Sequence, residues 1–249
     1  MMRDTLHGKT AFVTGASDGI GAATARALAA EGARVVIGYH NGKSRSEALC
    51  ADLPGEGHVI QQIDIGDPAS VSAAAARIAE QFTTLDILVN SAGATQPIPH
   101  ADLDTLDEGL FDRLLHLNAG GPFSVIRRHM PLLQASGEAV VVNVSSISAF
   151  TGSGSNIAYC AAKAALDTMT KSFARAFGPE VRFLAVSPAA VATGFVAGRD
   201  RAALENAARS VPLGRVVEPE DVASAILACI THLKSATGTT IVVDGGRQL

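Results

Sequence analysis

The chain has 249 residues, of which 47% are hydrophobic and 18% charged; it carries no tryptophan and a formal net charge of −4. That composition describes a globular protein with an aliphatic core and excludes a nucleic-acid footprint or a basic membrane-surface patch. Three widely separated cysteines (Cys50, Cys160, Cys229) form neither a disulfide framework nor a metal cluster, so a reducing, cytoplasmic setting without a metal site is expected. The N-terminal MMRDTLHGKT has no apolar core, so no secretory signal is expected. The longest charge-free stretch, 139–162, is studded with Asn, Ser, Thr and Gly and is no membrane span.

Short apolar runs alternate with longer amphipathic or alanine-rich segments. TAFVTG (10–15) reads as a buried strand and Gly19 to Ala30 as a helix. ARVVIGY (33–39) is a second strand, followed by a polar helix near Ser44–Leu53. HVIQQID (58–64) and DILVN (86–90) are strands flanking a helix around Pro68–Phe82. A long helix is expected from about Leu106 into the region of Arg128, stopping near Pro131. AVVVNVSS (139–146) is a strand and Asn156–Phe177 a helix. Then come VRFLAVSP (181–188), a loop with a short helix to about Arg209, a helix from Pro219, and the strand TTIVVDGG (239–246). Seven strands with intervening helices predict a doubly wound α/β Rossmann fold, one seven-stranded parallel sheet in a single domain over 1–249.

The first strand runs into Thr14-Gly15-Ala16-Ser17-Asp18-Gly19-Ile20-Gly21 and then a helix. Glycines there permit a tight turn and close backbone approach, and the helix head offers free N–H groups to a pyrophosphate. Further on, Tyr159 and Lys163 in YCAAK stand four apart, on one helix face. An ammonium one turn from a phenol favours the phenolate and lowers a pKa that is otherwise about 10. That makes Tyr159 a candidate acid–base group.

The glycine spacing G-x-x-x-G-x-G, together with Asp64-Ile65, Asn90-Ser91-Ala92-Gly93, Asn118, Ser146 thirteen residues before Tyr159, YCAAK, Pro188-Ala189-Ala190-Val191-Ala192-Thr193 and Val243-Asp244-Gly245-Gly246, resembles the short-chain dehydrogenase/reductase family over essentially the whole chain. Ser91 stands where the family has a second Asn, and Ala189 where it has Gly. The resemblance implies an oxidoreductase acting on ketones and secondary alcohols, with Tyr159 as acid–base, Ser146 on the substrate oxygen, Lys163 on the nicotinamide ribose and Asn118 positioning a water. It implies cofactor contacts from Gly15, Ser17, Asp18, Gly19, Ile20, Gly21, Tyr39, His40, Asn41, Asp64, Ile65, Asn90, Ala92, Gly93, Pro188, Ala189, Val191 and Thr193, besides Tyr159 and Lys163.

The second strand ends Gly38-Tyr39-His40-Asn41-Gly42-Lys43 with no acid to grip a ribose 2′-hydroxyl, and Arg45 follows. This favours NADP(H), with NAD(H) possible because Asp18 would repel a 2′-phosphate unless it caps the helix. The overall look is nearest to 3-oxoacyl-acyl-carrier-protein reductases. Their basic carrier-docking positions fall here on Gly137 and Glu180, with Arg127, Arg128, Lys171 and Arg175 nearby, which weighs against an acyl carrier protein as partner. The lid segment, Gly194 to Ser210, carries Phe195, Arg199, Arg201 and Glu205 and identifies no substrate. A small-molecule substrate and, by resemblance, a homotetramer are expected. Alternatives are an NAD-dependent dehydrogenase of polyols, sugars or hydroxy acids, a catalytically silent dinucleotide sensor, and an oligomeric scaffold with a vestigial site.

Overall fold

A computed structural model of the chain describes residues 5–198 and 200–249; Arg199 lies outside the described residues. Its strands are β1 (Thr10–Thr14), β2 (Arg34–Tyr39), β3 (Val59–Gln62), β4 (Ile87–Asn90), β5 (Ala139–Val144), β6 (Val181–Pro188) and β7 (Thr239–Val243). They form one seven-stranded sheet in the order β3-β2-β1-β4-β5-β6-β7, every pairing parallel. The order reverses between β1 and β4, and at that switch point the loops leaving the two strands diverge to open a crevice.

The nine α-helices among the described residues are α1 (Gly19–Ala30), α2 (Lys43–Asp52), α3 (Pro68–Gln81), α4 (Glu108–Leu115), α5 (Gly121–Ser136), α6 (Ser148–Thr151), α7 (Ile157–Phe177), α8 (Arg201–Ala208) and α9 (Pro219–Thr231). None is long and apolar enough to cross a membrane. The two-residue period of the strands sends alternate side chains to opposite faces. Ala11, Val13, Val140, Val142, Leu184 and Val186 meet α1, α2 and α9. Phe12, Leu88, Val141 and Phe183 meet α3, α5 and α7 from the other side. A sheet covered on both faces needs near-continuous apolar strands, which is why these segments were legible as strands.

Between α4 and α5 the helix widens into one π turn, His116–Gly120, closed by the Gly121 N–H on the His116 carbonyl. The next residue, Pro122, has no N–H to continue the ordinary ladder. The expected stop near Pro131 does not occur: the helix carries Pro131 inside it and ends at Gly137, whose φ of 73° makes the left-handed cap. An internal proline costs about 3 kcal/mol. Burial of Val125, Ile126, Met130 and Leu133 along α5 offsets that cost.

His129, on the same buried face, is fully enclosed and tilted against Phe12 at 5.0 Å. Its Nδ1 bonds the Val125 carbonyl while Nε2 has no partner among the described residues. Burial holds this imidazole below its ordinary value. The native state therefore keeps it neutral, while the unfolded chain takes up a proton below about pH 6.5. The stability it allows is fully present above that pH and falls as the medium is acidified, by up to about 1.4 kcal/mol per unit. Urea titrations at pH 7.5 and 5.5 should show the gap between the two midpoints narrowing in His129→Leu; an unchanged gap would refute this assignment.

Candidate active site

The turn from β1 into α1 is built too tightly for side chains. A Cβ on Gly21 would fall 2.3 Å from the Gly15 carbonyl oxygen, and one on Gly15 would fall 2.8 Å from Ala92 Cα. Gly15 and Gly19 also take φ of 66° and 52°. Across the switch point, Thr14 Oγ1 accepts the Ser91 and Ala92 amides, each at 3.2 Å, which holds the Asn90-Ser91-Ala92-Gly93 turn against the glycine loop. Asp18 caps α1, its carboxylate accepting the Gly19 N–H at 2.7 Å. The bare backbone at the head of a twelve-residue helix fits the phosphates of a dinucleotide.

From this cradle a cavity of about 470 Å³ runs across the C-terminal ends of the strands to the Pro188–Thr193 loop. Gly15, Asp18, Gly19, Ile20, Gly21, Ala92, Gly93, Ser146, Tyr159, Lys163, Pro188, Ala189, Val191 and Thr193 all line it. Tyr159 starts the buried face of α7, its N–H received by the Asn156 cap at 2.7 Å, and its ring lies 6.0 Å from Phe195 of the lid. Ser146 follows β5. Its hydroxyl accepts the Ser148 N–H at 3.2 Å and lies 3.1 Å from the Ser148 hydroxyl.

Lys163, 5% exposed, bonds the Val144 carbonyl at 2.8 Å and stands 5.6 Å from the centre of the Tyr159 ring. Burial lowers its ammonium to about 8, and the charge of Asp167 opposes that shift. Asp167 is the next residue along the same face of α7, four past Lys163. Burial pushes its carboxyl upward, against the Ser145 hydroxyl and the charges of Lys163 and Lys171. Its Oδ1 is buried without a hydrogen-bond partner among the described residues.

Other expected contacts lie off the cavity. Asn118 is wholly buried at the π turn. Its amide donates to Ala94 and Leu114 carbonyls at 2.8 and 2.9 Å and its oxygen accepts the Ala94 N–H, so the side chain staples the loop after β4 to the helix. Asn90 donates to Asn143 at 2.9 Å, which in turn donates to Thr170; this buried chain links β4 and β5 to α7. Tyr39 is buried and its carbonyl is taken by the Ile63 N–H, so the end of the β2–β3 ladder leaves it little to offer a ligand. Ile65 packs against Gly121. Ser17, His40, Asn41 and Asp64 lie beyond the cavity, toward the ends of β2 and β3, with His40 Nε2 3.5 Å from the Asp64 carboxylate. Sequence reasoning passed over Thr95, Ser148, Ser155 and Arg247, which line the cavity, and Asp167 behind it. Only the i+4 spacing of Asp167 from Lys163 carried a readable signal.

A parallel doubly wound sheet with a glycine cradle at its switch point, and a serine, tyrosine and lysine gathered at the same edge, defines a dinucleotide-dependent oxidoreductase. A family model described as enoyl-(acyl carrier protein) reductase matches residues 15–248. The chain is 36% identical, over its whole length and that of the relative, to a Streptomyces violaceoruber protein assigned as ketoacyl reductase 2 of the granaticin polyketide synthase. It is 35% identical, over 98% of both chains, to cis-4-hydroxycyclohexanecarboxylate dehydrogenase of Sinomonas cyclohexanicum. The crystal structure of a short-chain dehydrogenase from Burkholderia cenocepacia in complex with NADP superposes with a TM-score of 0.87 at 30% identity, covering 98% of this chain and all of that one. The chain belongs to the short-chain dehydrogenase/reductase family and is an oxidoreductase acting on CH–OH groups.

If the Lys163 charge serves turnover, reductive kcat/KM should decline as pH rises through about 8, where the ammonium loses its proton. Asp167→Asn removes the charge that holds that proton, so the descending limb should move to lower pH. A pH–rate profile that leaves the limb in place would show that Asp167 does not act on Lys163.

Proposed function

We propose that the protein interconverts a ketone and a secondary alcohol, with NADP(H) preferred to NAD(H). The observation that supports this most is the opening of Tyr159 and Ser146 onto the same cavity as the glycine cradle, with the Lys163 ammonium beneath. When bound, the cofactor supplies or accepts the hydride. Tyr159 gives its phenolic proton to the carbonyl oxygen in reduction and takes it back in oxidation. Ser146 donates its hydroxyl to that oxygen, held in place by the Ser148 amide. Lys163 keeps positive charge next to the developing tyrosinate. The side chain of Asn118 is committed to Ala94 and Leu114, so it ties the loop after β4 to the helix beside the cavity.

The preference for NADP(H) rests on charge around the second strand. Asp18 is engaged as a helix cap, which weakens its objection to a phosphate. A Cβ on Gly42 would fall 3.0 Å from Arg45 Nη2 and 2.6 Å from Ser17 Cβ, so the guanidinium folds toward the glycine loop. His40 follows the end of β2, its Nε2 3.5 Å from the Asp64 carboxylate. The relative with the NADP complex is consistent with this choice.

Calorimetric titration with NADPH and NADH should give tighter binding of NADPH, and Arg45→Ala should narrow the difference; equal affinities would overturn the preference. Tyr159→Phe should bind cofactor as before and lose about a hundredfold or more in kcat. Acetoacetyl and crotonyl thioesters, assayed side by side, separate ketone reduction from reduction of a carbon–carbon double bond.

Assembly as a homotetramer through α5 and α7 belongs to the same reading. Phe123, 44% exposed on α5, stacks on Phe173 of α7 at 6.1 Å, an apolar face open to a second copy. Sizing chromatography should give a species of four chains, and a monomer would refute it.

A further inference from the structure

The cavity has two ends, set by strand order. The glycine cradle follows β1, whereas Arg247 follows β7, and both line the cavity. Four strand intervals separate β1 from β7, roughly 19 Å at about 4.8 Å per strand. Arg247 therefore stands at the far end from the phosphate cradle, beyond Ser146 and Tyr159. It is not a loose tail. The buried Asp244 carboxylate accepts the Gly246 and Gln248 amides at 2.8 and 3.0 Å, and the Arg247 N–H bonds the Asp244 carbonyl. Gly245 and Gly246, both at positive φ, are pressed against Val211 and Pro212 at the end of the lid.

The charges lining the cavity are few. Among the described residues they are Asp18, which caps α1 at the opposite end, Lys163, which is buried under Tyr159, and Arg247. Arg201 and Arg215, beside the lid, are both spent on carboxylates: Glu205 and Glu218 for the first, Asp221 for the second. Arg247 has no such partner among the described residues. An exposed arginine that lines a hydroxyl-rich cavity, with no carboxylate partner among the described residues, suits a planar anion, which its guanidinium can bind through two parallel hydrogen bonds.

We propose that Arg247 is a specificity-determining residue and that the substrate is a small oxo or hydroxy carboxylic acid, its carboxylate held by Arg247 while its carbonyl lies at Ser146 and Tyr159. The inference rests on the ketone–alcohol reading above. Two strand intervals separate β5, which positions Ser146, from β7, roughly 10 Å. An arginine side chain covers most of that span, so the acid group sits several bonds from the reacting carbon rather than next to it. The carboxylate takes no part in the chemistry: hydride goes to the carbonyl carbon, the Tyr159 proton to its oxygen.

The test pairs oxo acids with their neutral esters. 4-Oxocyclohexanecarboxylate and 5-oxohexanoate, each beside its methyl ester, would be given to the full-length enzyme with NADPH and with NADH, and the binding of all four followed by calorimetry. The wild type should favour acid over ester by about tenfold or more in kcat/KM, chiefly through KM. The ratio should fall toward one in Arg247→Gln and be partly kept in Arg247→Lys, which retains the charge without the fork. Equal use of acid and ester by the wild type, or a ratio that survives Arg247→Gln, overturns the inference and leaves the ketone–alcohol reading standing. If nothing is reduced but the acids still bind in an Arg247-dependent way, the carboxylate site stands and the proposed reaction falls. Absence of acid binding removes the site.

Discussion

The site turns on one unfavourable placement: a lysine ammonium taken almost wholly out of water. Lys163 is 5% exposed, and an ion so placed loses much of its hydration. Its environment partly compensates. The Val144 carbonyl at the end of β5 accepts one of its protons, and Asp167 one turn along α7 supplies opposite charge. Desolvation still wins, which is why the group lies near 8 rather than 10.5. A lysine poised there is both a source of charge beside Tyr159 and a group that titrates in the working range. The frame around it is correspondingly rigid: α7 packs against β6, and Asn143 ties β5 to Thr170 of the same helix.

The fold was largely legible because the sheet is buried on both faces. Runs such as AVVVNV and RVVIGY have no polar side to confuse the reading, and strands of that kind stand out without any knowledge of their neighbours. The long helix was less legible. Pro131 is locally a stop signal, yet the apolar face of α5 holds the helix together past it until Gly137. Within the π turn at His116–Gly120, Asn118 reaches across to Ala94, a contact 24 residues away that no local pattern announces.

The same division applies to the site. Residues placed by motifs on strand ends and helix starts, such as Gly15, Ser146, Tyr159 and Lys163, meet around one cavity. Residues placed by analogy at the ends of β2 and β4 do not all face it: Tyr39 and Asn90 are consumed by the sheet. Asp167 could be read as part of a solvated charge row with Lys163 and Lys171, because spacing along a helix does not say which turn faces the sheet. Arg247 has only a short tail after a glycine pair to mark it. Its position comes from the turn that Asp244 closes and from strand order, both of which exist only once the sheet is assembled.

The contact between Gly15 and Ala92 has a consequence for how this protein can change over generations. The two positions lie 77 residues apart, and a methyl group at the first would fall 2.8 Å from the main chain of the second. The β1–α1 turn and the turn after β4 therefore share one allowance of space, and neither can be lengthened or enlarged on its own. A laboratory chimera that takes its first forty residues from one relative and the remainder from another draws the two turns from different parents and so brings together backbones that were not shaped to each other. Because the atoms met at 92 belong to the main chain, no side-chain change there makes room for one at 15, and the seam between the two turns is one that recombination has to respect.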